Sequence, residues 1–279
     1  ILLTIFSGSQ FLSDTLIRNP GFFDWLIIPE VLHRVRRREE LEDELRASAR
    51  ACITRGEWLN KLRRFRRREI LRIGTRDVYL KVSPRAVMEE LTVLAEALTQ
   101  VVFEECLKRI TGEKLSDERS FGKQFCIMAF GKMGGNELNY SSDIDLLGLF
   151  DKGDGAKKKP EAVDGQKEIF SKLMEDVISD LSSYTEEGYM YRVDMRLRPF
   201  GSSGELINSI SGLMDYYERS ASLWEIQAAI KMRPVAGNLH LGYEFLDRLS
   251  SVLKRPRTRS QIIKSIEKMR NLAIQTYTT

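Results

Sequence analysis

The stretch GKMGGNELNYSSDIDLLGLF, residues 131–150, decides the fold of this chain. An apolar run at residues 125–130 precedes it and predicts a buried strand. Glycines crowd the first five positions of the stretch, and a polar turn then leads to a second apolar strand that begins at Asp143 and Asp145. Because residues two apart on a strand share a face, both carboxylates project the same way. The stretch predicts two strands joined by a glycine turn, with two acids beside that turn.

This arrangement of acids and glycines suits the binding of a nucleotide with a metal. Two neighbouring carboxylates repel each other unless a cation lies between them, and Mg²⁺ prefers one or two carboxylates together with phosphate oxygens. Glycine turns also free backbone N–H groups that can hold phosphate. An Asp-x-Asp pair alone is more often a surface turn, but the preceding Gly-Gly pair and the strand context favour a phosphoryl- or nucleotidyl-transfer site.

A third acid comes from the stretch YMYRVDMRLRP, residues 189–199. Its apolar and aromatic residues alternate with Arg192, Asp194, Arg196 and Arg198, which predicts a strand with one charged face. An exposed strand laced with ion pairs is the alternative. Beside the Asp pair, we expect Asp194 to complete a carboxylate cluster and the arginines to bind phosphate oxygens.

These residues resemble a known family. Gly134-Gly135, Asp143-Ile144-Asp145 and Asp194 resemble the nucleotidyltransferase (polymerase β-like) superfamily. The strings GKMGGNELNYSSDIDL and RVDMRLRPFG are similar to the bifunctional glutamine synthetase adenylyltransferase/adenylyl-removing enzymes. The similarity covers most of the chain and is loose only near its end. It implies an α+β fold, in which a small mixed sheet backed by helices is flanked by helical segments.

The resemblance also implies an activity. Members of the family modify a tyrosine of glutamine synthetase with two such domains, of which one transfers AMP from ATP and the other removes AMP by phosphorolysis, giving ADP. Phe200 after the Leu-Arg-Pro string favours the amino-terminal, adenylyl-removing half, and the adenylylating half stays open. Mg²⁺ (or Mn²⁺) is the implied cofactor, with ATP, ADP and phosphate as substrates. Glutamine synthetase and the signalling protein PII are the implied partners.

The resemblance assigns roles to nine residues. The predicted catalytic and metal-binding residues are Asp143, Asp145 and Asp194. The predicted nucleotide- and phosphate-binding residues are Gly134, Gly135, Ser142, Arg196, Arg198 and Lys231. Two other classes of function stay open: a related nucleotidyltransferase acting on RNA or on a small alcohol or amine, and a binding module that kept the fold without catalysis.

Length and composition predict the domain organisation around this site and the environment of the protein. The 279 residues predict a helical region at 1–118, a catalytic domain at 119–236 and the start of a helical bundle at 237–279. The chain begins at Ile1, so we expect a piece of a longer protein. The net charge of +4 is too small to indicate nucleic acid, and no apolar run is long enough to span a membrane. Three cysteines without metal spacing predict a reduced, cytoplasmic protein.

Helical periodicity is clear on both sides of the candidate site. Helices are predicted after Ser7 or Ser9, across residues 39–55 and 57–73, and from Ser83-Pro84 to about residue 110. Further helices are predicted at 161–184, 224–232, 243–253 and 259–275. Two basic runs, at residues 34–38 and 63–68, have acidic neighbours, so we interpret them as solvated helix faces.

Overall fold

A computed structural model describes residues 1–50, 52–112, 121–151 and 160–277 of the chain. These residues form thirteen α-helices and five strands, as expected for an α+β fold. The helices are α1 (Leu2–Gly8), α2 (Gln10–Arg18), α3 (Phe22–Leu26), α4 (Pro29–Leu32), α5 (Arg38–Ala49), α6 (Arg55–Val78), α7 (Pro84–Thr111), α8 (Gly131–Gly134), α9 (Pro160–Ser182), α10 (Ile210–Arg219), α11 (Leu223–Ala229), α12 (Leu239–Leu253) and α13 (Arg259–Tyr277). The strands are β1 (Phe125–Ala129), β2 (Ile144–Phe150), β3 (Val193–Asp194), β4 (Ile207–Ser209) and β5 (Arg233–Gly237).

The chain divides into two compact units, neither of which is one continuous segment. The helical unit comprises Ile1–Lys114, Asn136–Ile144 and Glu175–Val193. The sheet unit comprises Leu115–Gly135, Asp145–Met174 and Asp194–Thr279. The predicted boundary between residues 118 and 119 lies outside the described residues. None of the described helices is long and apolar enough to cross a membrane.

Caps that the sequence predicts start two helices of the helical unit. Ser9 accepts a hydrogen bond from the amide of Leu12, and Ser83 accepts one from Ala86 just before the proline that opens α7. Such caps satisfy backbone donors that the first helical turn leaves without partners. The helices predicted near residues 10–18 and 84–110 are confirmed, whereas α5 ends at Ala49, earlier than expected.

Buried ion pairs join the long helices α6 and α7 to the segment before α5. Glu69 of α6 pairs with Arg36 at 2.6 Å and with Arg72 at 2.8 Å. Glu90 of α7 pairs with Arg72 and with Arg76, each at 2.8 Å. All of these side chains except Arg36 are at most 5% exposed. Within the basic run at 34–38, Arg36 and Arg38 are thus held by buried carboxylates, whereas Arg34 and Arg37 are exposed as expected.

The sheet unit is built on antiparallel pairing of β1 with β2 on one side and β5 on the other, in the order β3-β2-β1-β5. The short strand β4 runs parallel to the end of β2. Phe170 of α9 packs against Phe125 and Phe150, with ring centroids 5.1 and 5.6 Å apart, as expected for a helix that backs the sheet. A second core joins the sheet to α10, α11 and α12 through residues such as Met128 and Phe245.

Two predicted elements are wrong. The strand expected over residues 189–199 contains only Val193–Asp194, because the chain turns after Asp194 and Arg198 donates to nearby carbonyl groups there. The helix expected to run to residue 232 ends at Ala229, and strand β5 follows it. Pro234 reads as a breaker, but it lies opposite Met128 at a bulge on the outer strand, where a missing N–H is tolerated.

Helix α12 packs so closely on the sheet that residue 242 has no room for a side chain. A Cβ atom on Gly242 would lie 2.5 Å from Cβ of Pro234 and 2.9 Å from the sulfur of Cys126. Gly242→Ala is expected to lower the free energy of unfolding by about 1–3 kcal/mol through overpacking. Gly165→Ala is the control, since a Cβ there meets nothing within 4 Å, and it should raise stability by about 0.5–1 kcal/mol. Denaturant unfolding measures both, and equal stabilities would contradict the packing described.

Candidate active site

Asp145 is positioned by the turn between β1 and β2. It is the second residue of β2, and its carbonyl accepts a hydrogen bond of 2.9 Å from the amide of Phe130, at the end of β1. Gly131 follows with a φ of +55°, a conformation that favours glycine. A Cβ atom at Gly131 would lie 2.3 Å from Oδ2 of Asp145. The carboxylate therefore occupies the space that a side chain at residue 131 would need.

Gly134 and Gly135 close the turn itself. A Cβ atom at Gly134 would lie 2.2 Å from the carbonyl oxygen of Lys231 and 2.6 Å from that of Ala129. The amide of Gly134 donates to Phe130 and that of Gly135 donates to Gly131. Their predicted contacts with phosphate stay a prediction, since in this structure both amides serve the turn.

Asp194 lies on the strand next to the one that carries Asp145. Strand β3 is the hydrogen-bonded neighbour of β2, so Asp194 and Asp145 lie on adjacent strands of the sheet. Its carboxylate accepts from the guanidinium of Arg196 at 2.6 Å and from the Arg196 amide at 2.8 Å. The Arg196 guanidinium holds the pKa of Asp194 below its usual value, although partial burial opposes the shift. Asp194 is therefore an ionised carboxylate at neutral pH.

Asp143 is the residue before β2 and belongs to the helical unit. Its carboxylate accepts from Nε of Arg192 at 2.5 Å, and the same guanidinium donates to the carbonyl of Ser141 at 3.3 Å. The carbonyl of Arg192 accepts from the amide of Ile144, which holds the two segments in register. The hydrogen bond to Asp143 raises the pKa of Arg192.

The other predicted phosphate ligands differ in how far their groups are already engaged. Arg198 donates to the carbonyls of Met195, Ser202 and Gly204, so its guanidinium holds the turn that follows β3. Lys231 is exposed, and its backbone carbonyl packs against Gly134. Sequence reasoning gave no role to Gly131, whose signal was a glycine directly after a strand. It expected Arg192 to bind phosphate and did not predict its pairing with Asp143.

The chemistry of these donors suits a hard divalent cation, which prefers carboxylate oxygens. In the conformation described, however, Asp143 and Asp194 each hold an arginine. Over residues 1–50, 52–112, 121–151 and 160–277, no group of three His, Cys, Asp or Glu side chains is arranged to hold a metal ion. The predicted metal ligands are therefore of a suitable chemical type. Arginine side chains, rather than a metal cation, neutralise Asp143 and Asp194 in this conformation.

Comparison with known proteins decides the family. The profile of the glutamate-ammonia ligase adenylyltransferase family matches residues 1–248. The chain belongs to this family. It is 30% identical over 283 residues to the bifunctional glutamine synthetase adenylyltransferase/adenylyl-removing enzyme of Thioalkalivibrio sulfidiphilus strain HL-EbGR7, and 31% identical over 272 residues to that of Pseudomonas aeruginosa. Each alignment covers 96% of this chain. The resemblance read from the two strings is confirmed.

The chain spans less than a third of the length of these relatives, 29% of the first and 28% of the second. Both relatives are named for two opposite activities.

The Asp194–Arg196 pair gives a prediction for this adenylyltransferase-family chain. Arg196→Met should raise the pKa of Asp194 part of the way toward its ordinary value, because the backbone amide of residue 196 still donates to the carboxylate. A carboxylate whose pKa is lowered by folding stabilises the fold above its unfolded pKa and loses this effect as pH falls through the folded pKa. The variant should thus be less stable near pH 7 by at most about 1 kcal/mol, with the difference vanishing in acid.

NMR titration of the carboxyl carbon and denaturant unfolding at neutral and acidic pH measure the two effects. Arg219→Met is the matched control, because it removes an equally exposed arginine from α10. It should leave the titration of Asp194 unchanged. An Asp194 pKa that is the same with and without Arg196 would rule out the pairing.

Proposed function

We propose that this chain catalyses nucleotidyl transfer on glutamine synthetase, and that its reaction is the removal of AMP from a tyrosine by phosphorolysis. The observation that carries the proposal is the placement of Asp145 and Asp194 on neighbouring strands beside a glycine turn shaped around one of the carboxylates. The adenylyltransferase family of the chain supports the substrate, and Phe200 after the Leu-Arg-Pro string supports this direction of the reaction.

In the proposed reaction, an oxygen of inorganic phosphate attacks the phosphorus of the AMP group. The bond from that phosphorus to the tyrosine oxygen breaks, the tyrosine oxygen takes up a proton, and ADP leaves. Asp143, Asp145 and Asp194 would hold Mg²⁺ (or Mn²⁺), which, when bound, neutralises charge on the phosphate oxygens. Arg192 and Arg196 would leave their carboxylates and turn toward the anionic groups of the substrate.

The partners of the proposed reaction follow from the same membership. Glutamine synthetase is the substrate protein in the names of both relatives, and we propose it as the partner of this chain. Regulation by PII is proposed only on the family resemblance. All three cysteines are free thiols, which supports work in the reducing cytoplasm.

Asp145→Asn should lower the rate of AMP release at least about a hundredfold, because the metal contribution it supports is worth several kcal/mol. The assay incubates the protein with phosphate and adenylylated glutamine synthetase, and in a second arm with ATP and the unmodified enzyme. Activity in the first arm supports the proposal, and activity in the second arm alone assigns the chain to adenylylation instead.

Asp215→Asn serves as the control, since Asp215 is an exposed acid on α10 and is not one of the predicted site residues. It should keep full activity. If Asp145→Asn is as active as the unchanged protein, the carboxylate has no catalytic role. If neither arm shows activity in the unchanged protein, but it binds RNA with strong salt dependence, a related RNA-directed transferase replaces the proposal.

Gly131→Ala tests the shape of the turn without changing any acid. A methyl group at residue 131 would displace the carboxylate of Asp145, and the φ of +55° disfavours alanine. We expect activity to fall about tenfold or more while far-UV circular dichroism stays the same, since misplacing a reacting group by about 1 Å can cost a hundredfold. Gly165→Ala is the control, and equal rates in both variants would show that the fit at residue 131 is unimportant.

A further inference from the structure

The helical unit contains a cavity of about 400 Å³ lined by arginine and tyrosine side chains. Its walls come from α2, α6, the loop before β2 and the segment after α9, all within the helical unit. This volume falls in the range of small-molecule sites. Five arginines and two acids line it, which gives a formal charge of +3.

Arg63 is the centre of this positive charge. It is only 2% exposed, although it belongs to the basic run that the sequence predicts to be solvated. One of its nitrogens, Nη2, donates to the hydroxyl and carbonyl oxygens of Ser183. Nε and Nη1 have no hydrogen-bond partner among the described residues. A buried guanidinium with two unused nitrogens is unfavourable unless an acceptor joins it.

The acid near Arg63 is engaged elsewhere. The carboxylate of Asp180 is fully buried and holds Arg55 and Arg109, while Arg63 meets only its backbone carbonyl, at 3.5 Å. Burial lowers the pKa of Arg63, and the charge of Asp180 offsets only part of this effect. Arg63 therefore carries a positive charge that no carboxylate of the described residues pairs directly.

A second arginine of the cavity is in a similar position. The guanidinium of Arg66 lies 4.4 Å from the centre of the Tyr191 ring, and its Nε has no hydrogen-bond partner among the described residues. The two acids of the cavity do not compensate either arginine. Glu187 pairs with Arg67 at 2.6 Å, and Asp14 accepts from Gln10.

Aromatic rings complete the lining. Tyr184 and Tyr189 have ring centroids 6.5 Å apart and are 80% and 41% exposed. Exposed tyrosine faces in a cavity can receive a flat ring by stacking. The same cavity thus offers cations for an anion and aromatic surface for a ring.

We propose that this cavity binds a ligand consisting of an aromatic ring with a single phosphate group, the phosphate accepting hydrogen bonds from Arg63 and Arg66 and the ring stacking on Tyr184 and Tyr189. A nucleoside monophosphate and a phosphorylated tyrosine share this chemistry. Arginine suits phosphate because its planar guanidinium offers several donors and keeps its charge when buried. None of the three acids of the proposed reaction lines this cavity, but Ser142 and Arg192 of the candidate active site do.

Calorimetry on the Asp145→Asn variant in a chelating buffer tests binding without one acid and any metal of the proposed catalytic site. The probes are AMP, phosphotyrosine, adenosine and inorganic phosphate. We expect AMP or phosphotyrosine to bind and adenosine not to bind, with the tighter of the two ring-bearing probes identifying the source of the ligand. Equal affinity for inorganic phosphate and the ring-bearing probes, or no binding of any probe, would overturn the proposal.

Substitutions of the arginines then locate the site. Arg63→Met and Arg66→Met should each weaken binding about 10- to 100-fold, as expected for a lost hydrogen bond to a charged group. Arg64→Met is the matched control: it removes an exposed arginine of α6 that does not line the cavity, and it should leave affinity unchanged. If Arg63→Met fails to fold, the less buried Arg66 decides.

Equal affinity in Arg66→Met and Arg64→Met would overturn the assignment of this cavity. Because the background variant already lacks Asp145, a failure of the proposed reaction does not affect this measurement. Conversely, AMP release that persists when the cavity arginines are replaced leaves the catalytic proposal intact.

Discussion

The close contact between Gly131 and the carboxylate of Asp145 determines the geometry of the candidate active site. Backbone at Gly131 and the side chain of Asp145 occupy adjoining space with no room for one more carbon atom. The hydrogen bond from Phe130 to the backbone of Asp145 fixes where that side chain begins. An acid at a strand end is thereby held by the sheet rather than by a flexible loop. Rigid placement of this kind is what transfer chemistry on a phosphorus atom requires of its host.

Arginine side chains have several different structural roles in this chain. Arg192 and Arg196 neutralise candidate catalytic acids, Arg198 ties a turn together, and Arg72 links buried acids of two helices. Arg63 forms no direct ion pair with a carboxylate of the described residues, and two of its nitrogens have no hydrogen-bond partner among them. The formal charge of the whole chain, +4, conceals these differences, because each arginine is defined by the groups around it. Local arrangement, rather than net charge, carries the functional information.

Features set by neighbouring residues could be read from the sequence. Ser9 and Ser83 start helices through contacts three residues away, and the spacing of Asp143 and Asp145 is local to one strand. Strand β5 was missed because Pro234 reads as a breaker, while its pairing with β1 depends on a bulge about a hundred residues earlier. Arg63 looked solvated within a charged run, since its burial depends on Ser183. Long-range contacts of this kind leave no local pattern.

The buried ion pairs of Glu69, Arg72 and Arg76 have a geometric consequence for the rest of α6. Three charged groups on one helix, held by Arg36 and Glu90 from outside it, leave the helix no freedom to turn about its own axis. A rotation that broke one pair would leave an unpaired charge in the interior, at a cost of about 3–5 kcal/mol. Arg63 lies on the same helix, about two turns before Glu69. The ion pairs of Glu69, Arg72 and Arg76 therefore also fix the direction in which Arg63 projects from α6.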